Sequence, residues 1–302
     1  MGDMVFDVII VGGGPAGLSA ALVLGRCRRR VLVCDAGAPR NASSRHLHGF
    51  LTRDGINPME LLSIGRDQLR PYETVELRQA TVTDAKKSPS GFEVWLENGE
   101  RVHTRKLLLA TGVVDHIPEL EGLRELYGSS VFHCPYCDGW ELRDQPLAVY
   151  GQGESGAGLS LELTLWSDKL TLCTDGPAGL TDEERQRLAH HNIPVREEKI
   201  TRLEGDSGKL ERIVFANGEA LAASGMFFST GQQQRSDLPA KLGCEFTEQG
   251  CVSTSDYEAT NIRGLYVAGD ASCFVQFVIV AAAEGAKAAV AINKELLRAD
   301  VD

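Results

Sequence analysis

Short apolar runs of strand length alternate, in the first part of the chain, with longer segments of small and apolar residues. The apolar run 4–11 ends at three glycines, residues 15–24 have the composition of a buried helix, and residues 31–34 form a second apolar run. The order strand, glycine turn, helix, strand predicts a βαβ unit, and such units form parallel sheets. A further helix is predicted over 58–69, with strands over 93–96 and 101–109.

The same order of elements returns about 140 residues further along the chain. A strand over 147–150 is followed by the glycine-rich turn 151–156, by a helix predicted over 157–166 and by a strand over 170–173. A duplication on this scale predicts two domains of the same kind rather than a short repeat.

The composition is that of a folded globular protein: 302 residues, 43% hydrophobic and 24% charged. The net charge of −11 argues against a nucleic-acid partner, because its phosphates would be repelled. The N-terminal apolar run is typical of a strand rather than a signal peptide, and the apolar run 277–283 is too short to span a bilayer. We therefore expect no membrane partner and a cytoplasmic location.

Residues 12–17 have the pattern G-x-G-x-x-G between a predicted strand and a predicted helix. Gly12 permits the tight turn, Gly14 lets the backbone approach a pyrophosphate, and Gly17 allows the helix to pack closely on the strand. The helix N-terminus offers free N–H groups to the phosphates. Asp35, 21 residues after Gly14, stands where a carboxylate binds a ribose hydroxyl, so the segment predicts a dinucleotide site.

The second turn repeats this pattern with Gly151, Gly153 and Gly156. Asp175 follows Gly153 by 22 residues, and a carboxylate there favours a free 2′-hydroxyl over a 2′-phosphate. Because no arginine follows until Arg185, the site suits NADH better than NADPH. The alternative is a domain that keeps the fold but binds a nicotinamide nucleotide poorly.

The C-terminal segment, a predicted strand over 265–269 and an Ala-rich helix over 280–297, is too short for a third domain and is expected to complete the first. The predicted fold class is therefore α/β, with two Rossmann-like dinucleotide-binding domains, the second inserted into the first. The first domain is expected to comprise residues 1–113 and 236–302, and the second to comprise residues 114–235.

Of eight cysteines, only Cys134 and Cys137 form a close pair, in Cys-Pro-Tyr-Cys-Asp-Gly. Cysteines at this spacing can form a small-ring disulfide with a lowered thiolate pKa on one sulfur. Zinc is the competing interpretation, but no second Cys or His pair lies nearby in sequence, and we expect no metal. Asp138 is either a proton carrier for the thiols or only a turn residue. The isolated cysteines are Cys27, Cys34, Cys173, Cys244, Cys251 and Cys273.

Two further predicted strands end in small or polar residues, at Thr111-Gly112 and at Gly269-Asp270. The carboxylate of Asp270 can accept hydrogen bonds from a polyol chain. Taken in order, the two glycine motifs, these strand ends and the Cys-x-x-Cys-Asp-Gly motif resemble the pyridine nucleotide–disulfide oxidoreductases, and within them the low-molecular-weight thioredoxin reductases. The resemblance covers nearly the whole chain and implies an FAD domain split in sequence, with a nicotinamide domain inserted that carries the active disulfide.

The resemblance implies FAD as cofactor and leaves NADH or NADPH open as the electron donor. It implies that Cys137 faces the flavin, Cys134 meets the substrate and Asp138 is the acid–base group. Gln276, Phe277 and Val278 would lie near the flavin ring. The implied FAD-binding residues are Gly12, Gly14, Pro15, Ala16, Gly17, Asp35, Arg40, Asn41, His48, Thr111, Gly112, Gly269, Asp270, Gln276, Phe277 and Val278.

The chain departs from thioredoxin reductases at three places. This chain has Thr174-Asp175-Gly176 where thioredoxin reductases typically have His-Arg-Arg. It has residues 276–278, Gln-Phe-Val, where they have Arg-Gln-Ala, and Pro-Tyr between the cysteines where they have Ala-Thr. The segment 39–42, followed by His48-Gly49-Phe50, is similar to the branch that contains dithiol oxidases of the gliotoxin and holomycin type. In that branch the flavin takes electrons from a small dithiol and passes them to oxygen. His48 would lie near flavin or substrate there, or would be a loop histidine with a structural hydrogen bond.

Three hypotheses follow. A reductase would pass electrons from NAD(P)H through FAD and the disulfide to a thioredoxin-like protein or a small disulfide. A dithiol oxidase would run electrons from a small dithiol to FAD and oxygen. A non-catalytic flavoprotein would act as a redox-sensing or binding module, but this hypothesis leaves the Cys-x-x-Cys-Asp-Gly motif unexplained. The resemblance also implies a homodimer.

Overall fold

The computed structural model describes residues 5–229, 231–272 and 275–301, so Met4 of the predicted first strand and Cys273 lie outside it. The strands are β1 Val5–Val11, β2 Val31–Asp35, β3 Val75–Gln79, β4 Val82–Ser88, β5 Gly91–Leu96, β6 Arg101–Leu109, β7 Val113–Asp115, β8 Val131–Phe132, β9 Leu147–Tyr150, β10 Leu170–Cys173, β11 Val195–Arg196, β12 Ile200–Asp206, β13 Lys209–Phe215, β14 Ala220–Ala222, β15 Gly225–Phe228, β16 Gln232–Gln234 and β17 Leu265–Val267. The helices are α1 Pro15–Arg26, α2 Pro58–Leu69, α3 Leu123–Leu126, α4 Pro135–Asp138, α5 Gly153–Glu162, α6 Asp182–His190, α7 Leu238–Lys241 and α8 Val278–Val301.

The first sheet has the strand order β3-β2-β1-β6-β5-β4, with β17 also paired to β6. Because β1, β2, β6 and β17 run parallel, their carboxyl ends lie at one edge of the sheet. Val8 and Ile10 face a core shared with α1 and α8, whereas Ile9 faces the opposite side, against β5. Burial on both faces explains why these strands are continuous apolar runs rather than alternating ones.

The second sheet has the order β11-β10-β9-β15-β8, and all its strand pairs are parallel. The antiparallel strands β12, β13 and β14 form a separate sheet beside it. The chain leaves the first sheet through β7 and returns through β16, and these two strands pair with each other, Asp115 opposite Gln232. The two parallel sheets with helices confirm the predicted fold class. The domain boundaries at residues 113 and 235 stay predictions.

The C-terminal segment returns to the first sheet, where β17 pairs with β6 and α8 packs along α1. Ala281, Ala288 and Ile292 of α8 are buried there. The helix is longer than the predicted span 280–297, because its last turns are anchored by ion pairs to the start of the sheet, including Arg105 with Asp300.

The helix predicted over 157–166 lies nearer the N-terminus than expected. α5 begins at Gly153, within the glycine turn, and ends at Glu162, after which residues 163–165 tighten into a 3₁₀ turn. Composition alone places a helix after its glycines, whereas backbone hydrogen bonds start it among them. Among the described residues, no helix is long and apolar enough to cross a membrane.

Candidate active site

A cavity of about 360 Å³ opens at the carboxyl ends of β1, β2 and β6. In open α/β sheets this edge is where ligands bind. The wall includes every predicted FAD residue except Gly17, together with the cysteine pair and Asp138. The predicted residues that line it are Gly12, Gly14, Pro15, Ala16, Asp35, Arg40, Asn41, His48, Thr111, Gly112, Cys134, Cys137, Asp138, Gly269, Asp270, Gln276, Phe277 and Val278.

The first glycine turn lies close to other backbone atoms at Gly12 and Gly17 and faces open space at Gly14. Gly12 has φ +116°, and a Cβ there would lie 2.1 Å from the carbonyl oxygen of Ala110. A Cβ on Gly17 would lie 1.9 Å from the carbonyl oxygen of Gly12, so the helix approaches the strand as closely as a glycine allows. Around Gly14, by contrast, no heavy atom lies within 4 Å of the Cβ position. The backbone at Gly14 is therefore exposed to the cavity.

Asp35 lies beside this turn, at the end of β2. One carboxylate oxygen accepts a hydrogen bond from the N–H of Gly37, and the other accepts one from Arg66 of α2 at 2.9 Å. Arg66 also lines the cavity. The sequence reading did not identify Arg66, since only the packing of α2 against α1 brings it to the end of β2.

Cys134 and Cys137 are joined in a disulfide, with 5.3 Å between their Cα atoms. Cys134 is the N-cap of the short helix α4, and Cys137 lies on it, so both sulfur-bearing residues face the cavity. Tyr136, between them, points outward and packs edge-on against Trp166. The described residues contain no group of three or more His, Cys, Asp or Glu that would hold a metal ion.

Asp138 follows Cys137 and lines the same cavity. Burial, together with the charge of Glu141, raises its pKa to about 7. A carboxyl group with a pKa near neutrality can both accept and release a proton under working conditions. This pKa, together with the position next to Cys137, suits a carboxyl group that exchanges protons with the cysteine thiols.

His48 belongs to the long loop after β2 and reaches the segment that follows the disulfide. Its Nε2 atom lies 3.6 Å from Glu141, and its Nδ1 atom lies 3.5 Å from Asp54 of its own loop. Gly49, the next residue, packs near the Phe277 ring. The loop therefore joins the predicted flavin side of the cavity to the disulfide side.

Arg40 lines the cavity, but its guanidinium is engaged by protein groups. Its Nε and one terminal nitrogen donate to Asp115, and the other terminal nitrogen donates to Asp270 at 2.9 Å and to Gln276 at 2.6 Å. Burial lowers its pKa, but the two carboxylates outweigh burial and raise it. His133, directly before Cys134, lies 3.5 Å from the same guanidinium.

His133 and Tyr127 line the cavity, although no functional role was predicted for them. The Tyr127 hydroxyl lies 3.0 Å from Nδ1 of His133. Burial lowers the pKa of His133, and burial together with Asp115 raises the pKa of Tyr127 to about 12. Both side chains are therefore uncharged at neutral pH. His133 directly precedes Cys134 and Tyr127 lies six residues before His133, but neither belongs to a motif with a known role.

At the second glycine turn several polar groups are hydrogen-bonded within the domain, although Gln152, Glu154 and Ser155 are exposed. The N–H of Gly153, at the start of α5, donates to the carbonyl of Ala178 at 2.8 Å. The side chain of Gln152 donates to the carbonyl of Thr174 at 2.7 Å, and Asp175 accepts the N–H of Ile200 at 2.6 Å. The N–H of Gly153 and one carboxylate oxygen of Asp175 are thus bonded to protein.

Acidic side chains surround this second turn. Arg185 is paired with Glu197, and Arg196 is paired with Glu198 and Glu219. Since both arginines are neutralised, the surface offers little positive charge to a 2′-phosphate.

A glycine turn facing a cavity that also contains a cysteine disulfide and a proton-carrying carboxyl group defines a thiol–disulfide oxidoreductase built on dinucleotide-binding sheets. The chain belongs to the pyridine nucleotide–disulphide oxidoreductase family, whose model matches residues 6–285. Members similar to thioredoxin reductase use FAD and NAD(P)H.

Named relatives and solved structures agree with this family. The chain is 31% identical to a "Probable thioredoxin reductase" of Arthroderma benhamiae, covering 88% of this chain and 74% of the relative. It is 30% identical to "Thioredoxin reductase tcpT" of Claviceps purpurea, covering 97% and 95%. The crystal structure of HlmI superposes with a TM-score of 0.94 at 37% identity, covering 98% and 94%. A putative thioredoxin reductase from Bacillus anthracis gives 0.92 at 35% identity, covering 98% and 99%.

The first glycine turn fits FAD. The open space at Gly14 leaves room for a pyrophosphate, and the buried hydroxyl of Thr111 has no hydrogen-bond partner among the described residues. An unsatisfied buried polar group costs free energy unless a ligand or water bonds it. Thr111 lines the cavity, so a ligand there would satisfy it.

Proposed function

We propose that the protein oxidises a small dithiol, passing electrons through Cys134–Cys137 to FAD at the first glycine turn and then to oxygen. The family assignment establishes thiol–disulfide oxidoreductase chemistry. What this proposal adds is the direction of electron flow and the class of substrate. FAD, when bound, would take two electrons and two protons from the dithiol and return them to oxygen, which becomes hydrogen peroxide.

The single observation that carries the direction is that the N–H of Gly153 is hydrogen-bonded to Ala178, whereas Gly14 faces open space. A nicotinamide nucleotide needs the N–H of Gly153 for its pyrophosphate, but Ala178 accepts that hydrogen bond. The arginines near the second turn are paired with glutamates. Binding NADH or NADPH would require these contacts to break, which favours a thiol as the electron donor.

The position of the disulfide supports a small substrate. Cys134 and Cys137 line the same cavity as the first glycine turn instead of projecting from the surface. A small dithiol can reach a recessed disulfide, whereas a thioredoxin-like protein would need it to be presented outward. The proposed roles are attack of the substrate thiolate on Cys134, electron transfer to the cofactor from Cys137, and proton acceptance by Asp138.

An anaerobic titration of the FAD-loaded protein tests the proposal. NADPH, NADH and dithiothreitol are added in turn while the flavin absorbance is followed. We expect bleaching by the dithiol alone, with the colour restored and hydrogen peroxide formed when air is admitted. Stoichiometric bleaching by either nicotinamide nucleotide would instead establish the reductase, with a thioredoxin-like protein or small disulfide as acceptor.

Three further features belong to the proposal. The FAD-binding part would comprise residues 1–113 and 236–302, and the disulfide-bearing part would comprise residues 114–235. The protein would act as a homodimer in the cytoplasm. Gel filtration with light scattering tests the dimer.

A further inference from the structure

The connection between the two parallel sheets consists of the paired strands β7 and β16. Along the chain, β7 leads from the first sheet to the second, and β16 leads back. Asp115 ends β7, opposite Gln232 of β16. Any reorientation of the disulfide relative to the first glycine turn would have to pass through this strand pair.

Arg40 binds this connection from the side of the first sheet. Two of its nitrogens hold both carboxylate oxygens of Asp115. Its remaining terminal nitrogen holds Asp270, which follows β17, and Gln276, which precedes α8. The Arg40 guanidinium therefore joins β7 to the segment that follows β17 and to the segment that precedes α8.

The same loop contacts the disulfide turn twice. The Arg40 guanidinium lies 3.5 Å from His133, the residue before Cys134, and His48 lies 3.6 Å from Glu141. Arg40 is well shielded, with 19% of its side chain exposed, and Asp115 is more so, at 6%. A bidentate pair in this setting has a fixed geometry that lysine cannot reproduce.

We propose that Arg40 is a positioning residue that clamps β7 and β16 to the first sheet, so that Cys134–Cys137 stays directed at the cavity throughout the reaction. This inference rests on the proposed function, since a dithiol oxidase never has to bring a nicotinamide to the cofactor and needs no reorientation. Although burial raises the pKa of Asp115, the hydrogen bonds and positive charge of Arg40 outweigh it and keep the pKa below its usual range. Both partners of the clamp therefore remain charged at neutral pH.

The test compares Arg40→Met and Arg40→Lys with wild type, all loaded with FAD. Flavin bleaching is timed anaerobically with dithiothreitol, which needs the disulfide, and with dithionite, which does not. For Arg40→Met we expect the dithiol rate to fall by about 10- to 100-fold, the cost of a small misplacement of reacting groups, at an unchanged dithionite rate. Arg40→Lys restores part of the rate. Arg105→Met, which removes a comparable bridge between Asp7 and Asp300, leaves both rates unchanged.

Hydrogen exchange supplies a readout that does not depend on the cofactor reaction. Backbone amides at the connection, such as Arg235 N–H to Gly112, should exchange faster in Arg40→Met, while those of β1 and β6 stay protected. If Arg40→Met does not fold, Asp115→Asn takes its place with the same expectations.

If folded, FAD-loaded Arg40→Met, or Asp115→Asn in its place, bleaches with dithiothreitol at the wild-type rate, the proposed role of Arg40 is wrong. Purification of Arg40→Met without FAD also overturns it, because Arg40 would then act as a cofactor ligand. Failure of the wild type to bleach with dithiol overturns the proposed function instead, so the two failures are distinct.

Discussion

Gly14 and Gly153 hold corresponding positions in the two glycine turns, each after a parallel strand and at the start of a helix. The space beside Gly14 is empty to 4 Å and opens into the main cavity, whereas the N–H of Gly153 is bonded to Ala178. The glycine pattern therefore determines the path of the backbone in both places. Whether the backbone N–H at this position is available to a dinucleotide depends on which other residues are hydrogen-bonded to it.

Cys137→Ser tests whether electrons reach the first turn only through the disulfide. Since serine cannot form the bond to Cys134, we expect dithiol-driven bleaching to fall by about 1,000-fold or more, with FAD still bound. Anaerobic stopped-flow absorbance measures the rate. Cys27→Ser, at an exposed free cysteine, is the control and should match wild type. Bleaching at the wild-type rate in Cys137→Ser would show that the disulfide is not on the path.

Substituting one glycine in each turn tests the comparison directly. Gly12→Ala combines a positive φ with a contact to Ala110, so we expect loss of bound FAD and a decrease of about 2–4 kcal/mol in unfolding free energy. Gly153→Ala meets nothing closer than 3.6 Å and should retain FAD and dithiol activity.

Gly218→Ala provides the matched control for backbone strain, because Gly218 has φ +86° and nothing within 4 Å of its Cβ position. FAD content and urea unfolding are measured for all three variants. Loss of dithiol activity in Gly153→Ala would mean that the second turn takes part in the reaction.

The pH dependence of bleaching reports the direction of proton transfer at Asp138. Burial, together with Glu141, raises the pKa of this carboxyl to about 7. To accept a thiol proton it must be ionised, so the dithiol rate should rise as pH increases through about 7. Asp138→Asn should lower the rate by about 10- to 100-fold and remove that inflection, leaving only the dithiol's own ionisation. A rate that falls as pH rises through this range would indicate a carboxyl acting as an acid, as a reductase requires.

Asp175→Ala should have the smallest effect. It removes the hydrogen bond from Ile200 N–H and should decrease the unfolding free energy by about 1–3 kcal/mol, without changing dithiol bleaching. Urea unfolding followed by fluorescence measures the change. An altered response to NADH with unchanged stability would show that Asp175 binds a nucleotide.

Strands buried on both faces could be predicted from the sequence almost to the residue. The predicted strands 147–150 and 170–173 coincide with β9 and β10, because unbroken apolar runs are strong local signals. The predicted helix 58–69 coincides with α2, a Pro-led amphipathic segment. β3 and β12 were not predicted, since most of their side chains are partly or fully exposed and their polar residues show no alternation. Sheet pairing, rather than pattern, makes them strands.

The site divides in the same way. The glycine turn, Asp35, the cysteine pair and Asp138 could be found from sequence because their spacing is local and their chemistry is specific. Arg66 could not, since it reaches the cavity through a contact with Asp35, 31 residues away. Tyr127 and His133 lie close to Cys134 in the chain but belong to no recognised motif.

The sequence by itself determined two βαβ units, a dinucleotide turn with its acidic partner and a redox-capable cysteine pair, because each is set by residues close together in the chain. Only the tertiary structure decided that Gly14 faces open space while the N–H of Gly153 is bonded to Ala178. It also decided that Arg40, predicted to bind FAD, is bonded to Asp115, Asp270 and Gln276. Hydrogen bonds between distant segments carry no periodic signal in the sequence, and they decide which polar atoms remain available to a ligand.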